Sequence, residues 1–113
     1  MSNMRNQVRL MGNVGAIPEV KALDGNKKVA KFSIATNEVS KNAKGEKVVD
    51  TQWHNLVAWG NTAALIEKLV QKGAELAVEG KLVHRSYTDK AGVKKYVTEI
   101  VVSEFVLLGK KAA

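Results

Sequence analysis

Trp53 and Trp59 have the most chemistry to offer in this chain, and they stand six positions apart in the stretch DTQWHNLVAWG from Asp50 to Gly60. In an extended chain side chains alternate faces, so Trp53, Asn55, Val57 and Trp59 point one way and His54, Leu56 and Ala58 the other. At roughly 3.3 Å per residue the indoles lie about 20 Å apart, too far to stack on each other, so they read as two separate units. Either both rings fill a core, the commoner fate of an indole, or both present a flat apolar face to a planar ligand. Asn55 on their face and the apolar pair Leu56 and Ala58 on the opposite one favour the second reading, but the strand alone leaves the choice open.

A further constellation lies downstream. Arg85 and Tyr87 share strand parity, which sets a cation beside an aromatic ring. Two lysine clusters fall in loop-like, glycine-containing stretches: Lys41, Lys44 and Lys47 in SKNAKGEK, and Lys90, Lys94 and Lys95 in TDKAGVKK. The chain carries 18 Lys plus Arg against 11 Asp plus Glu, a net charge of +7. That balance favours an anionic partner, either nucleic acid or a membrane surface. Basic grooves that track phosphates, with aromatic faces on which bases stack, are what binding of single-stranded nucleic acid requires. The plainer alternatives are that Tyr87 shields a strand end and that the lysines serve solubility.

Other chemistries find little support. The acids are scattered singly, and His54 and His84 have no motif pairing them with a nucleophile or a metal, so no catalytic residue, metal site or cofactor is expected. With no cysteine, disulfides, thiolate metal sites and a cysteine nucleophile are excluded. GNVG at Gly12 to Gly15 has neither the spacing of a dinucleotide fingerprint nor the Lys-Ser/Thr of a phosphate-binding loop. There is no apolar run near the ~18 residues of a membrane span, and the start MSNMRNQVRL is polar, so a cytoplasmic protein that does not enter membranes is expected.

The elements that must position these residues follow from the punctuation of the chain. At 113 residues and 45% hydrophobic content, one domain is expected, spanning residues 1–108, with a short disordered end at 109–113. Gln7 to Val14 reads as a strand with a bulge or bend at Gly12. After Pro18, Glu19 to Leu23 leads through the Asp24-Gly25-Asn26 turn into a strand from Val29 to Thr36, with Ala30, Phe32 and Ile34 on one face and Lys31, Ser33 and Ala35 on the other. Val48 to Trp59 is the third long strand. Asn61 is a good helix N-cap, and Leu65, Ile66, Leu69 and Val70 recur at helical spacing until Gly73 supplies a stop. A strand from Leu76 to Tyr87 with Gly80 as a bend, and a last one from Val93 to about Leu108, complete the pattern. Long strands with a single helix between the third and the fourth predict an all-β fold with one helix: the OB-fold, a five-stranded Greek-key barrel.

The stretches VRLMGNVGAIPEV, FSIATNE, QWHNLVAWG, LVQKGAELAVEGKL and YTDKAGVKKYVTEIVV, in this order, resemble the bacterial single-stranded DNA-binding protein family over residues 7 to about 108. The resemblance implies an OB-fold that assembles as a homotetramer and wraps single-stranded DNA with little sequence preference during replication, recombination and repair, in the cytoplasm at the nucleoid. Carried over, the stacking aromatics fall on Trp53, on Trp59 where phenylalanine is more usual, and on Tyr87 where tryptophan is common. Arg85 and Lys72 match basic positions of the DNA path, and Lys31 and Ser33 lie on the matching strand face. Asn55 beside the tryptophans and Lys41 and Lys44 in the first basic stretch complete the DNA-binding set. His54 falls where the family packs subunits, with an ordinary core or edge histidine as the alternative and a dimer as the alternative assembly.

Two departures stand out. Val39 and Ser40 occupy the place of a further stacking aromatic, which removes one platform. The family commonly carries an acidic, aromatic-tipped tail that recruits replication and repair enzymes, whereas this sequence ends GKKAA, which counts against recruitment by that route. A primosomal replication-restart OB protein, an RNA-binding OB module and an OB domain used only for protein contacts are the rival readings.

Overall fold

The computed structural model describes residues 4–24 and 27–109. Six strands and one helix follow in the order β1 (Val8–Val14), β2 (Glu19–Leu23), β3 (Lys27–Lys41), β4 (Lys47–Trp59), α1 (Gly60–Leu69), β5 (Glu75–Thr88) and β6 (Lys94–Gly109). The sheet runs β1-β5-β6-β4-β3-β2, and β1 returns to pair with β3 at Asn13–Ala35 and Val14–Ile34. That last pairing closes β1, β5, β6, β4 and β3 into a five-stranded barrel, with β2 added outside as a short hairpin arm. The expected OB-fold is therefore present, with the helix between the third and fourth of the five barrel strands. The turn at Asp24-Gly25-Asn26 and the chain end at 109–113 lie partly outside the described residues.

Alternation decides what goes inside. Ala30, Phe32 and Ile34 of β3 stand opposite Ala58, Leu56 and His54 of β4, and all of these but the histidine are in the core with Leu76, Val78, Ile100 and Val102. Val57, on the tryptophan face, is buried as well, where β4 and β6 run side by side at Leu56–Ile100 and Val57–Val101. Gly80 sits at a register shift between β5 and β6, where a β-carbon would collide with the Val101 carbonyl. The bend expected at Gly80 is therefore a β-bulge fitted to a close backbone approach. Gly12 is no bulge: β1 keeps its register to β5 there, and the absent side chain admits the Ala35 carbonyl as the barrel closes.

The helix departs from expectation at both ends. It starts at Gly60, and its N-cap is Trp59, with extended backbone and no side-chain cap bond, so Asn61 lies inside the first turn. The cause is continuity, because β4 feeds straight into α1 and its last strand residue takes the cap position. The helix ends at Leu69 with Val70 as its C-cap, whose N–H donates to the Ile66 carbonyl, while Gly73 lies beyond, its N–H donating to the Val14 carbonyl. Ala63, Ile66 and Val70 face the barrel, whereas Leu65 and Leu69 remain exposed, because a short helix across a barrel end contacts it along one narrow stripe.

The basic loops are largely strand. β3 and β4 pair out to Lys41–Lys47, and β5 and β6 out to Thr88–Lys94, so two twin-stranded arms project from the barrel. Only Lys44 and Lys90 of the six lysines sit in turns. The two tips are built alike. Asn42 Oδ1 accepts the backbone N–H groups of Lys44 and Glu46, and Asp89 Oδ1 those of Ala91 and Val93. Gly45 and Gly92 take φ of 78° and 82°, a conformation that favours glycine.

Candidate nucleic-acid interface

The outward face of β4 and its neighbours gathers most of the candidate residues. Residues paired across strands share a face, so Trp53, Asn55 and Val57 of β4 lie beside Ala35, Ser33 and Lys31 of β3. Trp53 is 61% exposed, Trp59 52% and Tyr87 52%, values that decide between core and platform in favour of platform. Trp53 is seated on Gly15, where a β-carbon would collide with its six-membered ring. Gly15 is itself pinned by its N–H to the Ser33 carbonyl at 3.1 Å. The ring is thus held on its strand with one face free.

Next to it, a depression is lined by Ile17, Lys31, Ser33, Asn55 and Glu99. Glu99 was not among the sequence candidates, yet it is the buried charged residue among those described, 8% exposed. Its carboxylate is gripped by Arg85 through two bonds, Nε to Oε1 at 2.6 Å and Nη2 to Oε2 at 3.0 Å. That hydrogen bond, more than the charges of Arg85 and Lys31, holds the Glu99 pKa below the usual carboxylate value, against the opposing effect of burial. The same pairing raises the Arg85 pKa. Tyr87 follows two residues on, with Lys95 directly opposite it on the same face. The sequence signal for Glu99 was a lone acid in the apolar run TEIVV on a strand whose hairpin partner carries Arg85.

Other candidates sit further off. Trp59 ends β4 at the barrel rim, opposite Val29. Lys72 is in the turn after α1, next to Gly73, which bonds Val14 one residue before the seat of Trp53. Lys41 and Lys47 face each other directly at the end of the first arm, with Lys44 at its tip. Like charges placed opposite each other repel, and an intervening anion relieves the cost. Val39 lies on the Trp53 face of that arm opposite Val49, and Ser40 is on the other face. Tyr96, which sequence reasoning passed over, is 78% exposed on the reverse of the second arm, with Lys94 Nζ 5.5 Å from its ring centroid. His54 is half-buried on the inward side of β4, its Nε2 3.0 Å from Thr36 Oγ1.

Among the described residues no cluster of His, Cys, Asp or Glu could hold a metal ion, and no helix is long and apolar enough to cross a membrane. The surface can therefore offer planar stacking faces, phosphate-directed cations and one locked ion pair.

Known proteins are similar to this chain in sequence and in fold. The chain is 42% identical over 110 residues to a single-stranded DNA-binding protein of Bacteroides thetaiotaomicron, covering 96% of this chain and 68% of that one. To single-stranded DNA-binding protein 1 of Xylella fastidiosa it is 37% identical, over 94% of this chain and 79% of the relative. The Plasmodium falciparum SSB in complex with ssDNA superposes with a TM-score of 0.84 at 36% identity, over 91% of this chain and 94% of that one. The model of the single-strand binding protein family matches residues 5–108, from just before β1 almost to the end of β6, and the chain belongs to that family.

Proposed function

We propose that this chain coats single-stranded DNA with little preference for base order, stacking bases on Trp53, Trp59 and Tyr87 and leading the phosphates past Lys31, Lys72, Lys41 and Lys44. The observation that carries this reading is that all three rings are more than half exposed on an outward sheet surface, where exposure costs stability that only a ligand returns. Ser33 and Asn55 supply hydrogen bonds from the depression between the platforms. The role is one of binding, in replication, recombination and repair, wherever single strands arise at the nucleoid.

Assembly as a homotetramer is part of the proposal, with His54 near a subunit contact. It is supported by an unfinished edge: β1 pairs with β5 from Val8 to Asn13 but with β3 only at Asn13 and Val14, so the far side of Val8 to Gly12 has no strand beside it among the described residues. An open edge is a template for pairing, and Met11 on it is 60% exposed. Light scattering at micromolar concentration is expected to return four times the chain mass, and a stable monomer would refute the assembly.

Titration with oligo-dT and with oligo-U, followed by intrinsic fluorescence, tests the function. Oligo-dT is expected to quench the indole emission. Binding without quenching would remove stacking from the account, and tighter binding of oligo-U would turn it toward RNA.

A further inference from the structure

Among the described residues Arg85 is the one interface cation that an ion pair already answers. Both bonds to Glu99 use the guanidinium edge formed by Nε and Nη2, a bidentate geometry that fixes the plane of the group as well as its position. Glu99 is 11% exposed at its side chain and Arg85 47%, so the pair is anchored from beneath and the guanidinium looks outward. Tyr87 stands on the same strand face two residues away. A phosphate could take the Nε–Nη2 edge of Arg85 only by pulling it from this carboxylate, leaving a nearly buried anion unpaired beside a polyanion, and the outward Nη1 side that remains has its charge already balanced by Glu99. Sequence alone counts Arg85 as a free cation of the DNA path, whereas in the structure one edge of its guanidinium is already bonded to Glu99.

Resting on the reading that single-stranded DNA lies across this face, we infer that Glu99 is a built-in counter-ion that withholds Arg85 from the phosphates and sets its guanidinium plane as a stacking shelf beside Tyr87. Glu99 is thus a positioning residue, and Arg85 touches the bases. The consequence is local: at this point of the path the strand is held by a face that contributes little to salt dependence, between lysines that contribute much. Lys31 adds to the charge around Glu99 but makes no bond to it, and it remains available to phosphate.

The test uses the wild-type protein first. The Nε–H resonance of Arg85, slowed in exchange by its bond to Glu99, is expected to persist when the protein is saturated with oligo-dT. Its loss on binding would overturn the inference while leaving the function intact. A wild type that does not bind oligo-dT would overturn both. Glu99→Gln is expected to free Arg85 and to steepen the plot of log K against log salt by about 0.7, one added phosphate contact on a single strand. An unchanged slope would refute the withholding of Arg85 from the phosphates. Arg85→Ala combined with Glu99→Gln is expected to weaken binding about two- to fivefold, what a cation against an aromatic face contributes at an exposed site, with the slope kept. A flatter slope in that double variant would return Arg85 to the phosphate contacts and refute the shelf.

Discussion

Exposed aromatic rings are a cost to a free protein, and Trp53 bears it while its ring rests on Gly15. Trp53→Ala is expected to weaken binding of oligo-dT by about 1–3 kcal/mol, the range for one stacked base, with an unchanged thermal midpoint. Trp59→Ala and Tyr87→Ala should act in the same direction. If Trp53→Ala instead lowers the melting temperature by many degrees, the ring belongs to the core. Glu99 gives a second prediction at this scale. Its pKa is lower folded than the usual 4.5, so the stabilisation it brings is complete above that value and is lost as pH falls through the folded value. Thermal midpoints measured from neutral pH into acid are expected to hold level down to the usual carboxylate value of 4.5 and to drop as pH falls further below it, and Glu99→Gln should drop less. An identical acid profile for the two proteins would show that the Arg85 bond does not favour the carboxylate.

The two arms are the elements that sequence reading understated. Each is a two-stranded ribbon with no third strand beside it for most of its length, so its order depends on cross-strand pairs and on the tip. At both tips a side-chain carboxylate or amide oxygen collects two backbone N–H groups, and a glycine takes the left-handed region. Gly92→Ala is expected to cost about 1 kcal/mol, the penalty of a Cβ in that region, and to speed amide exchange in Asp89 to Lys95 about fivefold by favouring local opening. Exchange at Ile34, Leu56 and Leu76 in the barrel should not change. If exchange rises equally in the core, the arm is no separate unit of stability. The first arm also has two unlike faces. Val39, Val49, Lys41 and Lys47 share one, while Glu38 and Asp50 oppose each other on the reverse, so only the former suits a polyanion.

For the whole molecule, the excess of seven positive charges sets the range over which DNA is drawn in, and their placement sets the salt response. Lys31→Gln and Lys72→Gln are each expected to flatten the salt slope by about 0.7, the value for one phosphate contact on a single strand, in titrations with oligo-dT across a series of salt concentrations. Glu67 is no part of that account, since Lys28 already answers it at 2.7 Å on the flank of α1. A slope unchanged by both lysine substitutions would remove the proposed phosphate path. The open edge of β1 belongs to this scale too, because neither the barrel nor the helix covers it and another copy can.

What the sequence determined by itself was what depends on the period of its apolar residues. Alternation in Val48 to Trp59 separates Leu56 and Ala58 from the tryptophans, and the change to helical spacing after Gly60 places one helix in a chain of strands, which is enough for the barrel and for the shared outward side of the two indoles. The helix start, the arms and Arg85 were beyond it for one reason: each depends on what lies opposite in space. Asn61 has the chemistry of a cap, but β4 runs on into the helix and gives the cap position to Trp59. Lys41 reads as a loop residue, but Lys47 continues the ladder beside it. Arg85 reads as a free cation because Glu99 is 14 residues away, and only the folded β5–β6 hairpin brings that carboxylate to 2.6 Å. Local pattern fixes which face a side chain takes, whereas its charge balance is decided by the neighbour that tertiary structure sets against it.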